Sequence, residues 1–279
     1  MFFGLVMFAG VGYCGVMDTK ITKSALEALC GNEEIALIVK DETASTNADA
    51  LQMLRAGTPT PFVIFANQQS AGTGRAGRKW ESDSAGNIYA SFGFSPMIEP
   101  QKMANFTTWL GVKVCQFLDD YFGVPAKVKW PNDIWVGDKK LSGTMTEVEM
   151  TANEVRGVAF GVGLNVFDVP ENLKTLATSL AESVPEEMQV DINCVAAELV
   201  KVVVRAAETF FADDYHGSLA LLWQRYDMLL NKQISAIFGN EEIVGIARGI
   251  DANGNLLLEP PTGPMIAFAA GDVNLIRKK

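Results

Sequence analysis

The chain has 279 residues and a formal net charge of −10, with 48% hydrophobic and 20% charged residues. This composition is typical of a globular protein with a large core, and the length suits one large domain, alone or with a small second domain. The negative charge argues against general binding to DNA or to anionic membranes, because lysines and arginines would have to meet the phosphates. We therefore expect no DNA or membrane partner.

Cysteine and histidine usage argues against several kinds of site. The four cysteines, Cys14, Cys30, Cys115 and Cys194, lack the close spacing of a zinc site or a disulfide framework. They indicate free thiols in a reducing compartment, and we expect the protein to be cytoplasmic. The single histidine, His216, falls in a polar, turn-like stretch, where histidine is usually inert. A transition-metal site is not expected.

Hydrophobic periodicity predicts alternating strands and helices over most of the chain. In chain order these are a short helix and a strand within 24–40, a helix at 48–55, strands within 60–69 and 86–96, a helix at 101–121, strands within 126–150 and 154–166, a loop at 170–186, and helices at 191–212 and 218–230. Ser45, Thr46 and Asn47 supply N-cap side chains for the second helix, and Asp191 supplies one for the helix at 191–212.

The two ends of the chain differ from this pattern. After residue 230, short strands and turn signals predict a small antiparallel barrel of about 50 residues. The turn signals are Gly239–Asn240, Asn253–Gly254, Pro260–Pro264 and Gly271–Asp272. Residues 1–17 are apolar, but they lack the basic start of a secretory signal and are short for a membrane span. A packed strand, a disordered extension and a start at Met17 are all compatible with them.

The stretch AGTGRAGRKW, residues 71–80, matches the G-x-G-x-x-G pattern of a dinucleotide-binding turn. Such a turn opens a helix inside a βαβ unit, whereas RKWESDSAGN is a poor helix and another strand follows. We therefore do not expect a nicotinamide or flavin site. The glycines would instead let backbone N–H groups approach an anion, and Arg75 and Arg78 would add planar cations suited to phosphate or carboxylate. The alternative is a solvated surface loop.

Five segments of the chain resemble biotin protein ligases. They are ETASTN, QQSAGTGRAGRKW, KWPNDIWVGDKKLSG, GVGLNVFDVPENL and EEIVGIARGIDANGNLLLE. The third is the most discriminating, because it matches the family's Lys-Trp-Pro-Asn-Asp and Lys-Leu-Ala-Gly signature. The resemblance implies an α/β catalytic domain over 36–228, with a mixed sheet and helices similar to class II synthetases and biotin–lipoate ligases. It also implies an SH3-like β-barrel over 229–279, and it leaves 1–35 as an N-terminal extension.

The resemblance implies an ATP-dependent ligase. Biotin and ATP, with Mg²⁺, would give biotinyl-5′-AMP, and the biotinyl group would pass to a lysine in the biotin-accepting domain of a carboxylase. Some family members carry an N-terminal helix-turn-helix domain, but residues 1–35 are short, apolar and acidic, so we expect no operator binding. The alternatives are a lipoate–protein ligase or related acyl transferase, and a non-catalytic biotin-binding regulator. The acceptor and the oligomeric state cannot be read from the sequence.

The resemblance also assigns site residues by their positions in the motifs. Lys140 and Arg75 are implied to be catalytic, with Lys140 bridging the biotin carboxylate and the α-phosphate. The implied biotin-binding residues are Ser45, Thr46, Asn47, Gln69, Thr73, Gly74, Arg75, Lys140 and Gly143. The implied ATP-binding residues are Arg75, Arg78, Trp80, Asn132, Asp133, Lys140 and Asn165. Asp133 is also the implied Mg²⁺ ligand.

Some of these residues also have purely structural interpretations. The Ser-Thr-Asn segment would serve equally as a helix cap, and Trp80 would serve as an anchor for its own loop. Gly143, Gly161 and Gly163 would also suit strand bulges. Thr73 stands where the family usually has a basic residue, so one anion contact is either missing or made by a backbone N–H.

Overall fold

The computed structural model describes residues 19–31, 34–238 and 241–276, so the expectations for residues 1–17, Cys14 and the Gly239–Asn240 turn fall outside it. The helices are α1 (Lys23–Cys30), α2 (Thr46–Arg55), α3 (Phe106–Phe122), α4 (Leu180–Ser183), α5 (Ile192–Phe211) and α6 (His216–Tyr226). The strands are β1 (Ala36–Thr43), β2 (Phe62–Gln69), β3 (Ile88–Phe94), β4 (Lys127–Lys129), β5 (Asp133–Val136), β6 (Lys139–Met150), β7 (Val155–Leu164), β8 (Gln233–Phe238), β9 (Glu241–Ile250), β10 (Leu256–Glu259), β11 (Ile266–Phe268) and β12 (Asp272–Leu275).

Seven strands form a mixed sheet in the order β1-β2-β3-β7-β6-β5-β4. The pair β1–β2 is parallel and is joined by α2, whereas the other neighbouring pairs are antiparallel. This order places β3, β7 and β6 side by side at the centre of the sheet. Ser91 of β3 therefore lies opposite Gly161 of β7, which in turn lies opposite Met145 of β6.

Apolar side chains cover both faces of this sheet. Alternation along β2 directs Val63 and Phe65 into the large core that includes residues of α1, α3 and α5. Phe62 and Ile64 point the other way, into a smaller cluster with α2. Each of these four side chains is fully buried, and burial of one such side chain contributes about 1.5–3 kcal/mol. The two clusters fix α2 on the opposite face from the other helices.

The caps predicted at Ser45 and Asp191 are confirmed, whereas several helix bounds differ from the prediction: α2 and α6 each begin two residues earlier, α6 ends at Tyr226, and α3 begins later. Ser45 accepts a hydrogen bond from Ala48 N at the start of α2, and Asp191 accepts one from Cys194 N at the start of α5. The helix predicted from residue 101 begins only at Phe106, because a 3-10 turn at Pro100–Met103 precedes it and Asn105 has a left-handed φ of 71°.

Three other local expectations can be compared with the structure. His216, expected in a turn, is the first residue of α6, and its exposed ring nitrogen lies 3.1 Å from Asp213 Oδ1. The predicted loop at 170–186 includes the short helix α4. Among the described residues, Cys30, Cys115 and Cys194 form no disulfide bond. No helix within the described ranges combines the length and the apolar character needed to cross a membrane.

The remaining strands form a five-stranded antiparallel sheet in the order β11-β10-β9-β8-β12. Its 251–255 turn contacts the first part of the chain through backbone carbonyls. Asn105 Nδ2 donates to Ala252 O at 2.7 Å, and Trp130 Nε1 donates to Gly254 O at 3.0 Å. Gly254 has a φ of 78°, and a Cβ there would lie 2.4 Å from Asn105 Oδ1, so this position requires glycine.

Candidate active site

One cavity collects nearly all the residues that the sequence predicted for the site. It lies against β3, β7 and β6, between the start of α2, the 71–80 loop and the β5–β6 hairpin. The predicted residues that line it are Ser45, Thr46, Asn47, Gln69, Thr73, Gly74, Arg75, Arg78, Trp80, Asn132, Asp133, Lys140 and Gly143. Gly161 and Gly163 line it as well. The implied biotin and ATP residues therefore converge on a single site.

Asn165 is the predicted site residue that does not line this cavity. It is buried, and its Nδ2 donates to Thr178 O at 3.0 Å. Its backbone N donates to Leu141 O, and its carbonyl accepts from Leu180 N. Asn165 thus ties the end of β7 to the segment that leads into α4, and its contact with the nucleotide stays a prediction.

Four buried side chains, Thr46, Asn47, Gln69 and Ser91, form what we call the polar end of the cavity. Thr46 N donates to Gln69 Oε1 at 2.8 Å. Ser91 Oγ lies 2.6 Å from Asn47 Oδ1 and 2.8 Å from Thr46 Oγ1. The N-cap at Ser45 brings Thr46 and Asn47 into the first turn of α2, where they face β3. Buried polar groups need partners, and this cluster supplies its own.

Two glycines of β7 make room for the side chains above them. A Cβ at Gly161 would lie 2.5 Å from Asn47 Oδ1, and a Cβ at Gly163 would lie 2.5 Å from Trp80 Cε2. The ring of Trp80 therefore packs directly on the sheet and anchors its loop. Its buried Nε1 has no hydrogen-bond partner within the described part of the chain.

The glycine-arginine loop is a closed hairpin. Trp80 N donates to Gly72 O at 2.9 Å and Gly74 N donates to Arg78 O at 2.7 Å. At its tip, Ala76 and Gly77 have left-handed φ values of 55° and 70°. A single 3-10 turn and then β3 follow the glycines, which is not the helix of a dinucleotide-binding turn.

The opposite end of the cavity carries the cations Arg75, Arg78 and Lys140, and we call it the cationic end. Lys140 Nζ lies 2.7 Å from Asp133 Oδ1 across the β5–β6 hairpin, and 5.1 Å from the ring centroid of Trp80. The Lys140 and Asp133 side chains are only 29% and 26% exposed. An ammonium over an indole face is attracted by the ring, so Trp80 and Asp133 together orient Lys140.

The two arginines of the loop are held by different elements. Arg75 Nη1 donates to Asn132 Oδ1 at 3.2 Å. Arg78 Nη2 lies 2.8 Å from Asp272 Oδ1 in β12, so the C-terminal sheet contacts the loop. Burial lowers the pKa of Arg75, and the neighbouring Arg78 lowers it further, while Asp272 and Asp133 oppose this. The guanidinium nonetheless stays charged, because an arginine pKa begins so high.

Asp133 is the carboxylate that the resemblance assigns to Mg²⁺. Within the described ranges, no group of three His, Cys, Asp or Glu side chains could hold a metal ion. The carboxylate is also engaged by Lys140. Mg²⁺ commonly binds one or two carboxylates together with substrate phosphates, so Asp133 fits such an ion only when nucleotide phosphates complete its shell.

Ser91 and Glu147 were not among the residues predicted from the sequence. Ser91 interrupts the apolar strand IYASFGF, and a polar residue in a buried strand needs a partner, which is a usable signal. Glu147 Oε2 accepts a hydrogen bond from Asn47 Nδ2 at 2.8 Å, across a separation of 100 residues. No local sequence signal marks that pair.

Comparison with known proteins identifies the family. The model of the biotin/lipoate A/B protein ligase family matches residues 39–165, and that of the biotin protein ligase C-terminal domain matches residues 229–275. The bifunctional ligase/repressor BirA of Bacillus subtilis is 32% identical over 86% of this chain and 74% of its own length. This chain belongs to the biotin protein ligases.

Other biotin protein ligases extend the comparison. The biotin–[acetyl-CoA-carboxylase] ligase of Mycobacterium tuberculosis is 32% identical over 86% of this chain and 89% of its own length. The structure of the Aquifex aeolicus biotin protein ligase, in complex with biotin and ATP, has a TM-score of 0.69 at 24% identity and covers 87% of this chain and 99% of its own. The implied family, mixed α/β fold and biotin ligase class are confirmed. Because the Bacillus relative is also a repressor, the absence of DNA binding stays a prediction.

Proposed function

We propose that this ligase activates biotin with ATP as biotinyl-5′-AMP and transfers the biotinyl group to a lysine in a carboxylase's biotin-accepting domain. The observation that carries the proposal is the polarity of one cavity, with neutral hydrogen-bonding groups at one end and Arg75 and Lys140 at the other. Biotin has the same polarity, with a ureido ring at one end and a carboxylate at the other. The biotin and ATP bound to the Aquifex relative support these two substrates.

In the first step, a carboxylate oxygen of biotin attacks the α-phosphorus of ATP. The new oxygen–phosphorus bond forms as the bond to pyrophosphate breaks, and pyrophosphate leaves with the electron pair. Two anions must approach for this to happen, so fixed cations at the point of contact lower the barrier. Lys140 exchanges its contact with Asp133 for the carboxylate and the α-phosphate, and Arg75 adds a second charge from the loop.

The ATP side of the cavity holds the remaining implied nucleotide residues. Arg78 and Asn132 face the phosphates, and Trp80 packs beside the adenine. Asp133, once Lys140 has moved to the substrates, would be free to hold Mg²⁺. The ion, when bound, neutralises phosphate charge.

In the second step, the ε-amine of the acceptor lysine attacks the acyl carbon of the adenylate. An amide bond forms, the bond from the acyl carbon to the AMP oxygen breaks, and the amine loses a proton to solvent. Arg75 and Lys140 stabilise the departing AMP phosphate through the same contacts that bound it. Transfer requires the acceptor lysine to be unprotonated and to reach the open side of the cavity.

The first test is biotin-dependent exchange of pyrophosphate into ATP. We expect exchange with biotin but not with lipoate, and a fall of about 10²–10³-fold in Lys140→Ala, because a group aimed at developing charge is removed. Lys139→Ala is the matched control, since this neighbouring lysine does not line the cavity. Exchange with lipoate alone would indicate a lipoate ligase. No exchange with either acid, in a folded protein that binds biotin, would indicate a non-catalytic regulator.

The second test follows the transfer step. Labelled biotin, ATP and a biotin-accepting domain should give a labelled domain, and an acceptor whose target lysine is changed to arginine should remain unlabelled. Exchange without labelling would leave the adenylation proposal standing and remove the carboxylase domain as the acceptor.

A further inference from the structure

Glu147 of β6 contacts the polar end of the cavity from outside its lining. Its Oε2 accepts from Asn47 Nδ2 at 2.8 Å, while Glu147 itself does not line the cavity. A carboxylate has acceptors and no donors, so the Asn47 amide must turn its NH2 group toward Glu147. The carbonyl oxygen of Asn47 then has to face the opposite way. Glu147 thus decides between two amide orientations that have nearly the same shape.

The orientation of the Asn47 amide determines where the hydroxyl proton of Ser91 points. Its Oδ1 lies 2.6 Å from Ser91 Oγ, and a carbonyl oxygen only accepts, so the Ser91 hydroxyl donates to it. A hydroxyl has one proton. Toward Thr46 Oγ1, at 2.8 Å, Ser91 Oγ can therefore only accept. Ser91 is 0% exposed, so no solvent contact competes for these positions.

Thr46 then offers an acceptor to the cavity that it lines. Its hydroxyl proton is committed to Ser91, which is nearer than the other contact, Gln69 Oε1, at 3.2 Å. Gln69 Oε1 is already bound by the Thr46 backbone N–H at 2.8 Å. The group left facing the cavity is a lone pair of Thr46 Oγ1. A ligand group that meets it must be an N–H or O–H donor.

The geometry points to Glu147 as a positioning residue, which sets the direction of an ordered hydrogen-bond chain and so makes Thr46 an acceptor for a ureido N–H. This inference rests on the proposed biotin site. The chain runs from Thr46 through Ser91 and Asn47 to the carboxylate. A cyclic urea carries N–H donors and the dithiolane ring of lipoate carries none, so the same ordering selects biotin over lipoate.

The test exchanges the amide and acid side chains at positions 47 and 147. The biotin Kd of each variant is measured by calorimetric titration in the absence of ATP. Glu147→Gln should weaken the biotin Kd by about fivefold, because an amide either donates or accepts and no longer forces the orientation of Asn47. Asn47→Asp should weaken it by about tenfold or more, because two carboxylates then face each other. In the double variant, the new amide at position 147 donates to the new carboxylate at position 47, which still accepts from Ser91. The double variant has the charge and heavy-atom count of the wild type, and its Kd should return to within about twofold of it.

Glu149→Gln is the matched control, because Glu149 lies two residues along β6 and pairs with Arg55 outside the cavity. Its biotin Kd should not change. The inference is overturned if Glu147→Gln binds biotin like the wild type, or if the double variant binds no better than Asn47→Asp. It is also overturned if Glu147→Gln and Glu149→Gln weaken binding equally and lower Tm equally, since the effect would then be general.

Failure of this inference can be told from failure of the proposed function, because the titration needs neither ATP nor turnover. A weakened Kd in Glu147→Gln with rescue in the double variant, but no pyrophosphate exchange in the wild type, would keep the ordered chain and remove adenylation. Biotin-dependent exchange with no effect of Glu147→Gln on the Kd would keep adenylation and remove the ordered chain.

Discussion

At the polar end of the cavity, Thr46, Asn47 and Ser91 are buried and bonded to one another, whereas at the cationic end Arg78 and Lys140 reach outward to carboxylates. The polar end is assembled from a helix start and two central strands. The cationic end is assembled from the 71–80 loop and the β5–β6 hairpin, and its side chains are more exposed, so they have more room to exchange partners.

Because of this difference, the polar end suits recognition of a neutral ligand group, and the cationic end suits binding of anionic groups. Groups at the polar end cannot move without leaving a buried donor or acceptor unpaired, which would cost about 1–3 kcal/mol for each group. The cations can leave Asp133 or Asp272 for a phosphate, since each move exchanges one anion for another. We expect recognition of the neutral ureido ring to be prebuilt and nearly independent of salt, and nucleotide binding to depend on ionic strength.

After Lys140→Ala, the largest effect at the cationic end is expected from Arg75→Ala. Arg75 is half-buried, so its charge is poorly screened, and its guanidinium lines the cavity beside Asn132. Loss of a hydrogen bond to a charged group is worth about 1.5–3 kcal/mol, so kcat/KM for ATP should fall about 10- to 100-fold. Steady-state exchange at varied ATP measures this. Arg75→Lys should recover only part of the loss, and full recovery would contradict a role for the planar fork.

A smaller effect is expected from Gly163→Ala, which acts on Trp80, the loop anchor between the two ends of the cavity. The added Cβ would lie 2.5 Å from Trp80 Cε2, so the ring must shift away from the sheet. Overpacking of this kind costs about 1–3 kcal/mol, and we expect a lower Tm together with a higher KM for ATP. Gly217→Ala in α6 is the control, because its Cβ would meet open space. An unchanged Tm in Gly163→Ala would mean that the packing of Trp80 contributes nothing to stability.

The smallest effect is expected from Asp272→Asn at the rim of the cationic end. The Arg78 and Asp272 side chains are 61% and 53% exposed, and exposed pairs contribute about 0.2–1 kcal/mol. Removing the competing carboxylate should lower the KM for ATP by about twofold at low salt, and the difference should vanish at high salt. A higher KM in the variant would instead mean that Asp272 holds Arg78 in place for the nucleotide.

Much of the cavity lining could be predicted because its residues come from short segments that resemble motifs of the family. Thr46, Arg75 and Lys140 come from three separate segments, and all three line one cavity. The pairing of Asn47 with Glu147 could not be predicted, because it depends on the β3-β7-β6 strand order and spans 100 residues. The position of Asn165 was beyond prediction for a related reason, since it is decided by how the segment before α4 returns to β7.

In the local structure, too, features that depend on nearby residues were predictable and features that depend on distant residues were not. Side-chain caps at Ser45 and Asp191 were predictable, because each acts within a few residues of its own position. The start of α3 was not, because helical periodicity continues through Gln101 although the backbone turns at Asn105. That turn is bound by the distant Ala252 carbonyl, which no local pattern contains.

The docking of the C-terminal sheet has a consequence for how its sequence can vary. Ala252 and Gly254 present main-chain carbonyls to Asn105 and Trp130, and every amino acid has such a carbonyl. Substitution should therefore be permissive at Ala252 and Asn253. It should not be permissive at Gly254, or at Asp251, whose carboxylate accepts from Asn253 N, Asn255 N and Asn255 Nδ2 within the turn. Libraries that diversify positions 252 and 253 should keep the appended sheet in place, and the same diversity at Asn105 or Trp130 should weaken its attachment.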